Sequence, residues 1–332
     1  MPQLLGKEIG PTGFGLMGFT WRPSPVPQEQ AFATLRAALS LGLNFWNGGE
    51  FYGQPPYNSP ILLERYFAQY PEDVDKVILS IKGCCGPDGM RPDGSAAEVR
   101  RSLDAVIKQL NGRKKLDIFE CGRRDPKVDM EETFGVMQRE YIGKGLLGGI
   151  SLSEVSAETI HQAVKILGKK GVVCVEVELS LFATEVLENG VAKACAEYGI
   201  PLVAYSPLGR GILTGQVKSR DDLSKFPMLL HFPRFSEENF DINLQLVHQV
   251  EEMAKKKGCT PAQLAISWTR CLSRRPGMPE IIPIPGATTV ERVNENAVFV
   301  ELTDQEMDEI DATLAKFDVK GARYPDWVPV NT

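Results

Sequence analysis

Apolar positions along this chain switch repeatedly between two spacings. Short runs rich in Val, Ile, Leu and Phe, of strand length, are separated by longer stretches in which apolar residues recur every three or four positions, as in helices that bury one face. The spacing predicts helices over Gln28–Leu41, Ser59–Tyr70, Ala96–Leu110, Glu131–Ile142, Ser156–Leu167, Val186–Tyr198, Ile242–Lys257 and Pro261–Leu272. Strands are expected at Gly13–Met17, Leu43–Trp46, Val77–Lys82, Leu116–Glu120, Leu147–Ser151, Val172–Leu179, Ile200–Tyr205 and Glu280–Pro285. About eight strand–helix units in about 300 residues match an α/β (β/α)8 TIM barrel, whereas doubly wound sheets usually stop earlier. A Pro- and charge-rich loop covers about residues 207 to 240. An extra C-terminal helix over Thr303–Phe317 opens with the capping box Thr303-Asp304-Gln305-Glu306, and Gly321–Thr332 form a tail. No break in composition divides the chain, so residues 1–332 are expected to form one domain.

Charge and composition narrow the function. With 37 Lys+Arg against 43 Asp+Glu the net charge is −6, and such a balance argues against a phosphate-binding nucleic-acid surface. The 7 cysteines are odd in number, include the vicinal pair Cys84-Cys85 and form no C-x-x-C, so neither a disulfide framework nor a zinc ribbon is expected. A reducing compartment fits better. No apolar run approaches the ~20 residues of a membrane span, and no targeting segment is evident, so a cytoplasmic protein is expected, with the nucleus left open. The runs Arg113-Lys114-Lys115 and Lys255-Lys256-Lys257 read as solvated charge, the second complementing a helix C-terminus. No metal and no obligate protein partner are expected. Only 3 histidines are present, so acid–base chemistry falls mostly to Tyr, Lys, Asp or Glu.

Gly13-Phe14-Gly15-Leu16-Met17-Gly18 matches G-x-G-x-x-G letter for letter. The dinucleotide fingerprint must open a helix that receives a pyrophosphate, and Pro23 and Pro25 follow too closely to allow one. The glycines read instead as places where backbone approaches closely near a strand end. Chemistry in a barrel of this kind sits where strands end at the C-terminal face. Those ends carry Asn47, Lys82, Gly122, Ser151, Glu176, Tyr205 and Pro285, with Tyr52 in the loop after the second strand. A lysine closing an apolar strand either snorkels to solvent or faces the barrel mouth. In the second case its ammonium would lower the pKa of a neighbouring phenol such as Tyr52, which could then protonate a carbonyl oxygen. Cys84-Cys85 read chiefly as packing residues, with a redox role the lesser alternative.

These segments resemble the aldo-keto reductases. Leu43-Asn44-Phe45-Trp46-Asn47-Gly48-Gly49-Glu50-Phe51-Tyr52-Gly53 is similar to the family's "NFFDTAEVYG", Leu79-Ser80-Ile81-Lys82 to its lysine strand, and Ala204 to Gly211 to its "AYSPLGRG". Ile282-Pro283-Ile284-Pro285-Gly286, with Arg292 to Asn296, resembles its "IPIPG…R…EN". Within the family the wording looks most like fungal pyridoxal reductases. The resemblance implies an NADPH-dependent reduction of an aldehyde, with pyridoxal to pyridoxine as the leading reaction, Tyr52 as general acid, Lys82 tuning it and Asn47 orienting Lys82. Cofactor contacts would fall on Gly18, Phe19 and Thr20, on Ser151, Glu176 and Tyr205 near the nicotinamide, and on Ser206, Leu208, Arg210 and Gly211. Pro285, Thr288, Thr289, Arg292, Glu295 and Asn296 would serve the adenosine end, with NADP favoured over NAD.

Several positions depart from the family pattern. Its tetrad is Asp, Tyr, Lys and His, and here Asn47 replaces the Asp and Gly122 the His. Gly122 is expected to open space beside the phenol for water or a substrate hydroxyl, with Cys121 a minor alternative donor. The usual Ser-Asn and Gln at the nicotinamide amide read Ser151-Leu152 and Glu176. Two other readings stay open: a nicotinamide-binding regulatory protein with residual catalysis, and a Schiff-base lyase using Lys82 as nucleophile. A reductase of other aldehydes is a further variant.

Overall fold

The computed structural model describes residues 1–86, 91–225 and 227–332. Eight parallel strands follow one another around a barrel: β1 (Phe14–Gly15), β2 (Phe45–Gly49), β3 (Ile78–Gly83), β4 (Leu116–Cys121), β5 (Leu147–Ser153), β6 (Val172–Glu178), β7 (Leu202–Tyr205) and β8 (Ile281–Pro283). A parallel bridge between Gly15 and Gly286 closes the ring between its two ends. Helices pack outside, among them Gln28–Ser40, Ser59–Gln69, Ala96–Leu110, Ala157–Leu167, Val191–Tyr198, Glu237–Lys257 and Pro261–Cys271.

Strand alternation sorts the barrel interior into two levels. Phe45, Ile78, Ile118, Cys174, Val203 and Ile282 form an apolar layer with Leu4 and Ile9, which lie within and just after a short antiparallel hairpin, Gln3–Leu4 with Lys7–Glu8. Two residues further along four of the strands the same inward face carries polar groups: Asn47 after Phe45, Glu120 after Ile118, Glu176 after Cys174 and Tyr205 after Val203. On β3 the sequence Ile78, Ser80, Lys82 reaches that level one pair later. The hairpin and its neighbours therefore stopper one end with hydrocarbon, and the C-terminal strand ends present charge at the other.

The expected pattern of elements holds, with local differences. A single helical turn, Met17–Thr20, does follow the glycine-rich segment, stopping before Pro23 as its missing N–H requires. The stretch expected as one helix over Glu131–Ile142 begins at Met130 and passes into a wider π-helical turn at Met137–Ile142. Val186–Tyr198 is broken by Gly190 at positive φ into a 3-10 turn and the helix from Val191. The loop over 207 to 240 contains several 3-10 turns, and the following helix starts at Glu237 rather than Ile242. The extra helix spans Asp304–Leu314 behind its Thr303 capping box, and Lys256 and Lys257 reach across to its Glu309 and Glu306. Lys114 is not solvated: it is buried, with its ammonium 2.8 Å from the Val77 carbonyl and 2.9 Å from Asp117.

Candidate active site at the barrel mouth

Lys82 and Glu120 are register partners on β3 and β4, so their side chains enter the barrel side by side. The Lys82 ammonium, nearly excluded from solvent, lies 3.2 Å from Glu120 Oε1 and 2.5 Å from Glu176 Oε1. It donates to Asn47 Oδ1 at 2.7 Å, and the Asn47 amide donates in turn to Glu176 Oε2 at 2.6 Å. Burial alone would lower the lysine, but Glu176 first, then Tyr52 and Glu120, outweigh it and hold its pKa well above the ordinary value. Lys82 therefore faces the barrel as a permanent cation.

Tyr52 is brought over this cation by the turn after β2. The Thr20 hydroxyl and the Ser59 amide both donate to the Tyr52 carbonyl, at 2.6 and 3.1 Å, and the Tyr52 amide donates to Gly49 O at 3.2 Å. The turn is tight enough that a Cβ on Gly49 would stand 2.9 Å from the tyrosine ring. The ring lies 5.8 Å from Lys82 Nζ and stacks on Trp21 at 5.2 Å between centroids, with Phe51 edge-on to both. The expected lowering of the phenol is outweighed. Burial pushes Tyr52 up to about 12; Lys82 opposes the rise and Glu176 and Glu120 add to it. The phenol therefore keeps its proton at neutral pH.

Gly122 does not leave a void. A Cβ there would meet Cys85 Sγ at 2.7 Å and the Phe51 ring at 3.2 Å, so the thiol and the ring already fill the place expected for a substrate hydroxyl. Cys121 is engaged with Cys84, whose thiol that contact and burial push up, and burial pushes Cys85 up to about 12. Protonated, buried thiols of this kind pack rather than react.

The other strand ends form a second polar group. Tyr205 donates to Glu154 Oε1 at 2.9 Å and shares a hydrogen bond of 2.9 Å with the Tyr324 hydroxyl. Arg323 holds Glu154 through both terminal nitrogens and reaches Glu178, which Arg210 also pairs at 3.0 Å. The guanidinium of Arg210 lies 4.6 Å from the Tyr324 ring centroid. Arg323 first, then Arg123, overcome the burial of Glu154 and hold its pKa below the usual carboxylate range. The tail is thus folded across the mouth and returns to β5, where Thr332 and Glu154 and Ser156 exchange backbone bonds of 3.0 and 2.9 Å.

Ser151 lies within β5 and donates to Cys174 O at 2.8 Å, whereas Ser153 at the strand's end has a buried hydroxyl with no partner. Gly18 faces Thr288, and Phe19 is buried in the core. Thr289 caps the helix Val290–Ala297, which carries Arg292, Glu295 and the buried Asn296, with Arg292 paired to Glu295. Ser206 and Arg210 adopt positive φ in the turn after β7, beside Leu208 and Gly211. Pro285 accepts from Gly15 N at 3.2 Å across the closing seam. Among the described residues no group of His, Cys, Asp and Glu is placed to hold a metal, and no helix is long and apolar enough to cross a membrane.

Sequence reasoning missed Glu120, Ser153, Glu154, Arg323 and Tyr324. The signal for Glu120 was present: an acid inside an apolar strand, two residues beyond an interior isoleucine.

The eight-stranded parallel barrel, with a lysine and a tyrosine at its C-terminal mouth, has the architecture of a large class of barrel enzymes, and the comparisons narrow it to one family. The aldo/keto reductase family model matches residues 11–315, and the chain belongs to that family. It is 39% identical over 331 residues to the protein named "Probable pyridoxal reductase 2" of Schizosaccharomyces pombe, covering 98% of this chain and 97% of that one. Identity is also 39% over 333 residues to "Putative pyridoxal reductase" of Saccharomyces cerevisiae, covering 94% and 95% of the two chains. Among solved structures, a thermostable aldo-keto reductase in complex with the inhibitor epalrestat superposes with a TM-score of 0.70 over 94% of this chain and 98% of that one, at 22% identity, which speaks for the fold.

Proposed function

We propose that this chain reduces an aldehyde to an alcohol with NADPH, and that pyridoxal to pyridoxine is the leading reaction. The observation that carries the reading is the buried Lys82 ammonium, fixed by Glu176 and Asn47 and lying 5.8 Å from the Tyr52 ring at the barrel mouth. The named relatives point to pyridoxal, and Trp21, Phe51 and Tyr52 supply aromatic faces suited to a flat heteroaromatic aldehyde.

The residues present fit a nicotinamide dinucleotide. Ser153 offers a buried, unpartnered hydroxyl at a strand end. Arg292 stands in the first turn of Val290–Ala297 with its guanidinium partly exposed, and Thr288 and Thr289 precede it, so a 2′-phosphate would find a cation and hydroxyls there. Asn296, Glu295 and Pro285 would lie along the adenosine, Gly18 and Arg210 along the phosphates, and Tyr205 beneath the nicotinamide ring. When bound, the reduced nicotinamide supplies the hydride that reaches the carbonyl carbon. Tyr52 gives its phenolic proton to the carbonyl oxygen as charge develops there. Lys82 stabilises the tyrosinate left behind, and Asn47, held by Glu176, keeps the ammonium in place. Thr20 and Ser59 fix the backbone from which the phenol projects.

A panel of aldehydes including pyridoxal, offered with NADPH and with NADH and followed at the nicotinamide absorbance, tests the reading. Pyridoxal with NADPH should give the largest kcat/KM. Turnover of none of them, with either nucleotide, removes the proposal.

A further inference from the structure

Inside the barrel two carboxyl groups meet one ammonium. Glu120 is fully buried and Glu176 nearly so, and both contact Lys82 Nζ. Asn47 supplies one donor, to Glu176 Oε2. Beyond the ammonium, Glu120 Oε1 and Oε2 and Glu176 Oε1 have no hydrogen-bond donor. Among the described residues no neighbouring group donates to them: the Ser151 hydroxyl is turned to Cys174, Tyr205 on β7 is engaged by Glu154 and Tyr324, the Ser80 hydroxyl on β3 forms no bond to either carboxyl, β8 contributes Ile282, and the Cys174 thiol and the Tyr52 phenol are the other titratable groups that act on the pair. Two ionised carboxylates around one lysine would leave a net negative charge among buried side chains, which is far costlier than binding a proton. Glu176 lies within hydrogen-bonding reach of Glu120, so one proton shared between them gives each carboxyl a bonded oxygen that it otherwise lacks.

We propose that Glu120 and Glu176 hold one proton between them at neutral pH, and that loss of this proton, rather than ionisation of Tyr52, ends reduction as pH rises. The first half concerns the fold alone; the second rests on the reductase reading above.

Burial first, then Glu120, pushes Glu176 up to about 8, with Lys82 opposing. Tyr52 stands at about 12, so the carboxyl pair ionises first. When it does, a second full negative charge appears beside Lys82, and because Glu176 and Glu120 both raise the phenol, Tyr52 becomes a weaker acid. Rising pH through the ionisation of the pair therefore slows proton donation while the tyrosine is still protonated. Glu120 and Glu176 act through Lys82 and Tyr52, and are positioning residues.

Infrared difference spectroscopy on the intact chain, without cofactor, tests the first half. The wild type near pH 6.5 should show the carbonyl stretch of a buried protonated carboxyl that fades as pH passes about 8. Glu120→Gln and Glu176→Gln should each lose the band, because the remaining carboxylate is neutralised by Lys82. A wild type without the band, or a band that survives Glu120→Gln, overturns the shared proton; circular dichroism checks that each variant is folded, and Glu120→Gln with the wild-type titration decides if Glu176→Gln is not. The second half is read from the single-turnover rate of aldehyde reduction against pH. Glu120→Gln should move the alkaline limb up by about one pH unit or more, and an unmoved limb overturns this half. Absence of reduction with any aldehyde defeats the reductase reading and leaves the infrared result to stand by itself.

Discussion

Tyr52, Lys82 and the acids around them divide the work of the site, and substitution separates their parts. Tyr52→Phe deletes a proton donor and little volume, so reduction should fall about 10²- to 10⁴-fold while nucleotide binding is kept. Retention of a third of the wild-type single-turnover rate would assign the proton to water or substrate. Lys82→Met acts twice. It removes the cation that Glu120 and Glu176 share and should cost about 3 to 5 kcal/mol of stability at neutral pH. That loss should shrink in acid, where the Glu176 carboxyl, pushed up by burial and Glu120, is neutral; thermal melts across pH read it. Asn47 and Glu176 are a single feature. The family has Asp and Gln at these positions, this chain has Asn and Glu, and the two side chains share a hydrogen bond of 2.6 Å. The charge has moved across the bond, so Lys82 keeps a carboxylate that the Asn47 reading by itself would deny it. Asn47→Asp or Glu176→Gln alone should each lower the reduction rate, and the double variant should recover most of it. Three equal losses would show that the positions are not coupled.

The order of strands and helices was legible because each strand is a short apolar run and each helix has one apolar face. The barrel's interior chemistry was legible only in part. Lys82 announces itself by closing an apolar strand and Glu120 by interrupting one, but that the two meet depends on register between neighbouring strands, which no single strand's sequence reveals. Gly122 misled for a similar reason: an absent side chain implies space only until Phe51 and Cys85, from two other segments, are placed in it. Lys114 hid in a run of three basic residues although its ammonium is spent on Val77 and Asp117. The tail was the least legible element, having no periodicity, yet Arg323 holds it to Glu154 and Glu178. Arg210 still pairs Glu178 when Arg323 is removed, so Arg323→Gln leaves Glu154 as the acid without its guanidinium. Exchange of the amides over residues 321–332 should then speed up at least tenfold while amides in β3 and β4 stay protected. Unchanged protection of the tail would mean that the backbone bonds of Thr332 and the stacking of Tyr324 suffice to hold it.

On the proposed function, the barrel would separate the chemistry of reduction from recognition of the nucleotide. Proton donation would depend on the turn after β2 and the strand ends of β3, β4 and β6, whereas the adenosine end would rest on Val290–Ala297, beyond the closing seam at Gly286. The two sets share no side chain, so a defect in one should leave the other measurable. Arg292 is the residue to change. Its guanidinium is partly exposed and paired with Glu295, three positions along the same helix, with the Gln216 side-chain amide beside it, so a phosphate can replace those exposed pairings at little cost. Charge-assisted bonds to a 2′-phosphate are worth about 1.5 to 3 kcal/mol, so Arg292→Ala should weaken NADPH on the order of 10- to 100-fold and NADH far less. Fluorescence titration, with Trp21 and the other barrel aromatics as reporters, gives both constants without turnover. Tyr52→Phe in the same titration should leave them within about twofold, and the double variant should show the sum of the two separate free-energy effects. Equal weakening of NADPH and NADH by Arg292→Ala would place the guanidinium against adenine rather than phosphate, and would remove the ground for preferring NADP.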